Sequence, residues 1–316
     1  MDEPMFLICN VRFNDILGAH ADIKLSLQED IAFAYQAGVY DSKGDFIHVT
    51  SNQIGTSIGT EKIVVISKLT RNLYGDEGVA YNDGILDGVL FCSQGDVENP
   101  AGLVHIEFDY PFRIRNVVNN YHGRRFNSPK DAAIHSNGSV WFTDPIYGYD
   151  QWLRPVPELL NQVYRFDPHT GDVRVMVDGF GRPSGICFSP YEKVCYISDT
   201  DFIHGDGNIE FTRASTMYAY DIKSAANVGL SDGLSCDTTG NVYAVCGDGL
   251  SIWSPGGVLL GKVLVPGGLA NFCFGKKGEL FLLNDKKFWV LKVVDTIKGA
   301  VLNREGARVE EQIDLE

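Results

Sequence analysis

The chain has 316 residues, a formal net charge of −14, 44% apolar and 22% charged residues, the balance of a globular protein with a sizeable core. The acidic excess excludes nucleic acid and anionic membrane surfaces as partners, because both demand clustered Lys and Arg. No stretch approaches the ~20 apolar residues of a membrane-spanning helix, and Met1-Asp2-Glu3-Pro4 carries acids where an export signal carries bases, so the sequence predicts a cytoplasmic protein.

In chain order, one short phrase returns six times: a Gly or charged turn, then alternating apolar and aromatic residues, then a small polar stop. The copies begin at Gly44, Gly88, Gly138, Glu192, Gly240 and Gly278. A strand-and-turn repeat of roughly 40–50 residues is the period of a β-propeller blade. The sequence therefore predicts an all-β fold, a six-bladed β-propeller, as one domain over residues 1–316. No linker or low-complexity tract divides it.

The seven cysteines form no Cys-x-x-Cys pair, and Cys92, Cys187, Cys195, Cys246 and Cys273 sit inside strand phrases, where free Cys behaves as a small buried hydrophobe. No His-Glu-x-x-His or His-x-His pair suggests zinc. Gly181-Arg182-Pro183-Ser184-Gly185 lacks the spacing of a hydrolase nucleophile elbow, and Gly205-Asp206-Gly207-Asn208 is followed by no Lys-Ser/Thr of a phosphate loop.

The informative positions precede the first strands of successive blades: Tyr35-Gln36-Ala37-Gly38, Phe126-Asn127-Ser128-Pro129-Lys130-Asp131, Arg182-Pro183-Ser184-Gly185 and Ser231-Asp232-Gly233. Such segments face a propeller's axis, so Gln36, Asn127, Ser184 and Asp232 are expected to form one ring. Plain turn chemistry accounts for the same residue types, since Asn, Ser and Asp beside Gly or Pro are what turns use.

Gly123-Arg124-Arg125-Phe126-Asn127-Ser128-Pro129, Phe142-Thr143-Asp144-Pro145-Ile146-Tyr147-Gly148-Tyr149, Val163-Tyr164-Arg165-Phe166-Asp167-Pro168 and Gly185-Ile186-Cys187-Phe188-Ser189-Pro190 resemble the senescence-marker-protein/gluconolactonase (regucalcin-like) family, in its fungal lactonohydrolase-like branch. The resemblance covers about residues 36–293 and leaves 294–316 as a C-terminal tail. It implies a six-bladed propeller that hydrolyses lactones with one divalent cation held by a Glu, two Asn and an Asp. The matching positions are Gln36, Asn127, Ser184 and Asp232, so two of four depart from the pattern, and Lys130 stands where the family has Asn. The connection from Tyr220 to Gly229 is also shorter than the resemblance implies, as though an outer strand were trimmed.

Gln for Glu removes a carboxylate, and a unit charge pair at ~4 Å is worth about 4 kcal/mol at an effective dielectric of ~20. Hard cations rely on carboxylate oxygens, Ser is shorter than Asn, and Lys130 adds repulsion. The expectation is therefore no metal cofactor; the alternative is one calcium, zinc or magnesium ion on Gln36, Asn127, Ser184 and Asp232.

The leading expectation is a metal-independent enzyme acting on a small molecule, closing a ring by adding a hydroxyl to an alkene or isomerising a phenolic, polyketide-like secondary metabolite. Asp232 is the expected general base, with Arg125 or Lys130 stabilising an oxyanion, phenolate or enolate. Gln36, Asn127 and Ser184 would orient the substrate. Tyr149 and Trp152, in the aromatic segment 147–155, would cover the channel mouth as a lid. The alternatives are a metal-dependent lactonase and a non-catalytic binding propeller.

Overall fold

The computed structural model describes residues 4–41, 46–51, 54–55, 62–63, 65–70, 88–107, 113–222, 225–227 and 234–300. The chain divides into two compact units, Met1–Tyr81 with Ser235–Glu316, and Asn82–Leu234. Among the described residues, each contains three antiparallel sheets of three to five strands. Each of the six phrases supplies one strand to a different sheet: Phe46–Thr50, Gly88–Ser93, Val140–Asp144, Val194–Asp199, Val242–Cys246 and Glu279–Asn284.

The turn that opens the phrase has a backbone reason. Gly138, Gly240 and Gly278 adopt φ of 84°, 88° and 74°, and Glu192 takes the same place at φ 51°. This left-handed conformation is free for glycine and strained for other residues. These four copies thus open on a residue in the left-handed conformation, and before Gly278 the neighbouring Lys277 shares it at φ 50°.

In the second unit, alternation within Val140–Asp144 buries both faces of one sheet. Val140 and Phe142 pack with Phe126, Tyr164 and Phe166, while Trp141 packs with Ile186, Phe188, Cys195 and Ile197 of the following sheet. Phe126 meets Phe142 and Tyr164 edge-on at 5.2 and 5.1 Å, arrangements worth about 0.5–1.5 kcal/mol beyond burial. The following sheet runs Pro183–Phe188, Val194–Asp199, Thr216–Asp221, Ala225–Asn227. Its outer strand is short but present, with Tyr218 opposite Asn227 and Tyr220 opposite Ala225. The connection thus keeps an outer strand of three residues, Ala225–Asn227.

In the first unit, the early strand Asp22–Gln28 pairs with Lys287–Lys292, so residues from the two ends of the chain share one sheet. Leu280, Leu282, Trp289 and Leu291 pack there with Phe13, Tyr243 and Leu250. No helix among the described residues is long and apolar enough to cross a membrane.

Candidate functional site

Two neighbouring sheets of the second unit hold their lead-in loops with the same device. The strand Val140–Asp144 ends in Asp144, whose carboxylate accepts the backbone N–H of Asn127 at 2.9 Å and of Ser128 at 2.8 Å. Val194–Asp199 ends in Asp199, which accepts Gly181 N–H and Arg182 N–H, both at 2.8 Å. One residue earlier a hydroxyl repeats the pattern: Thr143 Oγ1 accepts Asp131 N–H at 3.2 Å, and Ser198 Oγ accepts Gly185 N–H at 2.7 Å. A carboxylate taking two N–H groups satisfies donors that the turn would otherwise bury unpaired.

These bonds fix the register between the sheets. Asn127 stands level with Gly181, Ser128 with Arg182, and Asp131 with Gly185. Ala132 opposite Phe142 likewise corresponds to Ile186 opposite Ile197. Lys130, rather than Asn127, is therefore the counterpart of Ser184. Thr143 Oγ1 donates to the Ser184 carbonyl at 2.6 Å, and Asp131 Oδ2 accepts Ile186 N–H at 2.9 Å, joining the loop of Lys130 to the strand of Ser184.

Asn127 is held on every side but one. Its carbonyl accepts Arg154 Nε at 3.0 Å. Its Nδ2 donates toward the carbonyls of Asp144, Leu159 and Leu160, each at 3.3 Å. The amide orientation is thereby set, and among the described residues Oδ1 is left buried without a partner. Arg154 is itself buried, and donates also to the carbonyls of Phe126, Asn99 and Asp96 at 3.0, 3.0 and 2.5 Å. Burial pulls its pKa down, reinforced by Arg125 and opposed by Asp144 and Asp96. Burial also pushes the Asp144 carboxyl up to about 7, against the N–H groups of Asn127 and Ser128 and the charge of Arg154.

The segment expected to act as a lid is a short helix, Tyr147–Asp150, followed by a turn. It is pinned to both loops. Gly148 N–H donates to Ser128 Oγ at 2.9 Å. Asp150 takes Arg182 Nε at 2.8 Å and Nη2 at 3.3 Å, and Arg182 Nη1 pairs with Asp201. A Cβ at Gly181 would lie 2.1 Å from the Asp201 carboxyl carbon, so glycine is what lets Asp201 approach. Asp150 and Asp201 together hold the Arg182 guanidinium above its ordinary pKa despite the opposing effect of burial.

Of the residues singled out in the sequence, Asn127 and Ser184 are buried in this arrangement and Lys130 is half-buried beside them. Arg125 is exposed, on the ribbon Arg124–Arg125 that pairs with Asn120–Tyr121. Tyr149 is 39% exposed and Trp152 85%, the latter at φ 61°, so the Trp152 ring lies in solvent. The Gln36 side chain and Asp232 lie outside the described residues. Asp144, Asp199, Arg154, Arg182 and Asp150 were not foreseen. Only Asp144 and Asp199 had a signal, the repeated ending Thr143-Asp144 and Ser198-Asp199.

The register bears on the divalent cation that the resemblance implies. Level with one another in the backbone register stand Lys130, whose ammonium has no lone pair to give and repels a cation, and Ser184 with its hydroxyl. Hard cations take carboxylate and carbonyl oxygens. Asn127 Oδ1 would suit one, but it belongs to the Gly181 level. The donor set of Lys130 and Ser184 does not fit a divalent cation.

The SMP-30/Gluconolactonase/LRE-like region matches residues 78–283. A gluconolactonase of Zymomonas mobilis is 32% identical over 181 residues, 53% of this chain and 51% of that protein, so the chain spans about half the length of that relative. A lactonohydrolase of Aspergillus oryzae is 24% identical over 319 aligned residues, 89% of this chain and 71% of that protein. Among solved structures, a gluconolactonase of Xanthomonas campestris is similar with a TM-score of 0.66 over 92% of this chain and 96% of that chain, at 22% identity. Because the family match over residues 78–283 spans more than half of its length, the chain belongs to the SMP-30/gluconolactonase/LRE-like family.

Proposed function

We propose that the protein is an enzyme that hydrolyses a small lactone, its six sheets forming the blades of one propeller. The observation that carries this reading is the family match over residues 78–283, which includes the clamped loops bearing Asn127, Lys130 and Ser184. The relatives are a gluconolactonase and a lactonohydrolase, which favours hydrolysis over the ring closure or isomerisation expected from the altered ring.

Lactone hydrolysis needs a base for the attacking water and a donor for the developing oxyanion. Asp232 is the proposed base; Asn127 and Ser184 are the proposed polar contacts. The reaction is proposed to run without a metal, on the donor chemistry of Lys130 and Ser184. Asp232→Asn keeps the size of the side chain and removes proton acceptance, so turnover should fall by about 10²–10⁴ with unchanged folding. Near-parental turnover of a lactone by Asp232→Asn would remove Asp232 from this reading.

A further inference from the structure

Lys130 occupies the level of Ser184 in the neighbouring sheet, at the end where both loops are clamped by strand-terminal aspartates. Its backbone N–H donates to Thr143 O at 3.0 Å, and Thr143 Oγ1 in turn donates to Ser184 O at 2.6 Å. Asp131, next in the chain, accepts Ala132 N–H and Ile186 N–H, both at 2.9 Å, so its carboxylate turns toward the sheet of Ser184. The Lys130 side chain is half-buried and brings a positive charge to this level.

We propose that Lys130 is the electrophilic residue of the site, its ammonium binding the carbonyl oxygen of the lactone and afterwards the carboxylate of the hydroxy-acid product. The proposal rests on the hydrolytic reading. In that step the water oxygen bonds to the carbonyl carbon, its proton passes to the base, and the carbonyl π pair moves onto the oxygen beside Lys130. Collapse breaks the ring C–O bond, the departing oxygen takes the proton back, and a hydroxycarboxylate and a proton leave. Charge appears at the carbonyl oxygen only as the bond forms, so a preorganised cation there acts chiefly on kcat.

The test uses the purified chain and its Lys130→Met and Lys130→Arg variants, with thermal midpoints recorded for each. Calorimetry compares two carboxylates, D-gluconate and 5-hydroxypentanoate, with the neutral D-sorbitol and 1,5-pentanediol. Hydrolysis of D-glucono-1,5-lactone and δ-valerolactone is followed by proton release. The parent should bind a carboxylate in preference to its alcohol, and Lys130→Met should weaken that binding about tenfold or more while leaving the alcohols unchanged. Its kcat should fall by about 10²–10³ with little change in KM, and Lys130→Arg should recover part of both losses. A parent that does not distinguish carboxylate from alcohol, or a Lys130→Met variant that still does, would overturn the proposal. A parent that turns over no lactone removes the hydrolytic reading, while the calorimetric comparison still decides the role of Lys130.

Discussion

Lys130 and Ser184 stand at the same level of two neighbouring sheets, because Asp144 and Asp199 hold the loops before them by matching pairs of N–H bonds. This relationship changes which positions must be altered to build a cation site. Ser184→Asn adds a carboxamide but leaves the ammonium in place. Adding Lys130→Asn removes the repulsion. The double variant should bind calcium at least about tenfold more tightly than the parent, and more tightly than Ser184→Asn alone. Equal affinity of the single and double variants, measured by calorimetry, would separate Lys130 from the level of Ser184.

Asp144 should make stability depend on pH in the direction opposite to a salt-bridged carboxylate. Its pKa rises from 3.8 to about 7 on folding, through burial. The folded state then holds a proton that the unfolded chain has lost. The stabilisation is fully present below the unfolded value and is lost as pH rises through about 7. The span corresponds to about 4 kcal/mol. Asp144→Asn should flatten this part of the profile and, by setting an amide N–H₂ against a backbone N–H, cost about 1–3 kcal/mol at low pH. Urea unfolding of parent and variant at pH 4, 5.5 and 7 checks both; parallel profiles would refute the assignment.

Arg154 gathers four backbone carbonyls from two separate turns. Arg154→Met leaves those acceptors buried without a donor, and should lower stability by about 3–5 kcal/mol. Arg154→Lys keeps the charge but not the fork, and should recover less than half of the loss. A change in the urea midpoint at constant slope is the expected signature. A Met variant as stable as the parent would show that solvent can replace the guanidinium.

Asp150→Asn should release the Tyr147–Asp150 helix from the Ser184 loop. It removes the charge that meets Arg182 Nε at 2.8 Å, a bond worth about 1.5–3 kcal/mol in a buried, charged setting. Asp201 still holds Arg182, so the fold survives, while chymotrypsin cleavage after Trp152, which precedes Leu153, should accelerate. Unchanged cleavage would mean that Gly148 and Ser128 suffice to pin the segment.

The strands were legible in the sequence because their signal is local: a turn residue at positive φ, as at Gly138 and Glu192, followed by alternation that buries Phe142 one way and Trp141 the other. The site was legible only as a set of loops. Counting along the chain paired Asn127 with Ser184, since both resemble ligand positions. Their true levels depend on bonds from Asp144 and Asp199, more than a dozen residues downstream of the loops they hold. The aromatic segment 147–155 suggested a lid from composition alone. What governs it is charge, through Asp150, Arg182 and Arg154, and no periodicity reports a guanidinium bound to carbonyls in other turns.

The most direct test of the central claim is the initial rate of acid release from a panel of lactones, beginning with D-glucono-1,5-lactone and δ-valerolactone, measured with protein purified in EDTA and corrected for spontaneous hydrolysis. Hydrolysis of at least one lactone well above the uncatalysed rate, undiminished by EDTA and lowered by about 10²–10⁴ in Asp232→Asn and about 10²–10³ in Lys130→Met, is the predicted result. No acceleration of any lactone, alongside conversion of an unsaturated phenolic precursor to a cyclic product, would contradict it.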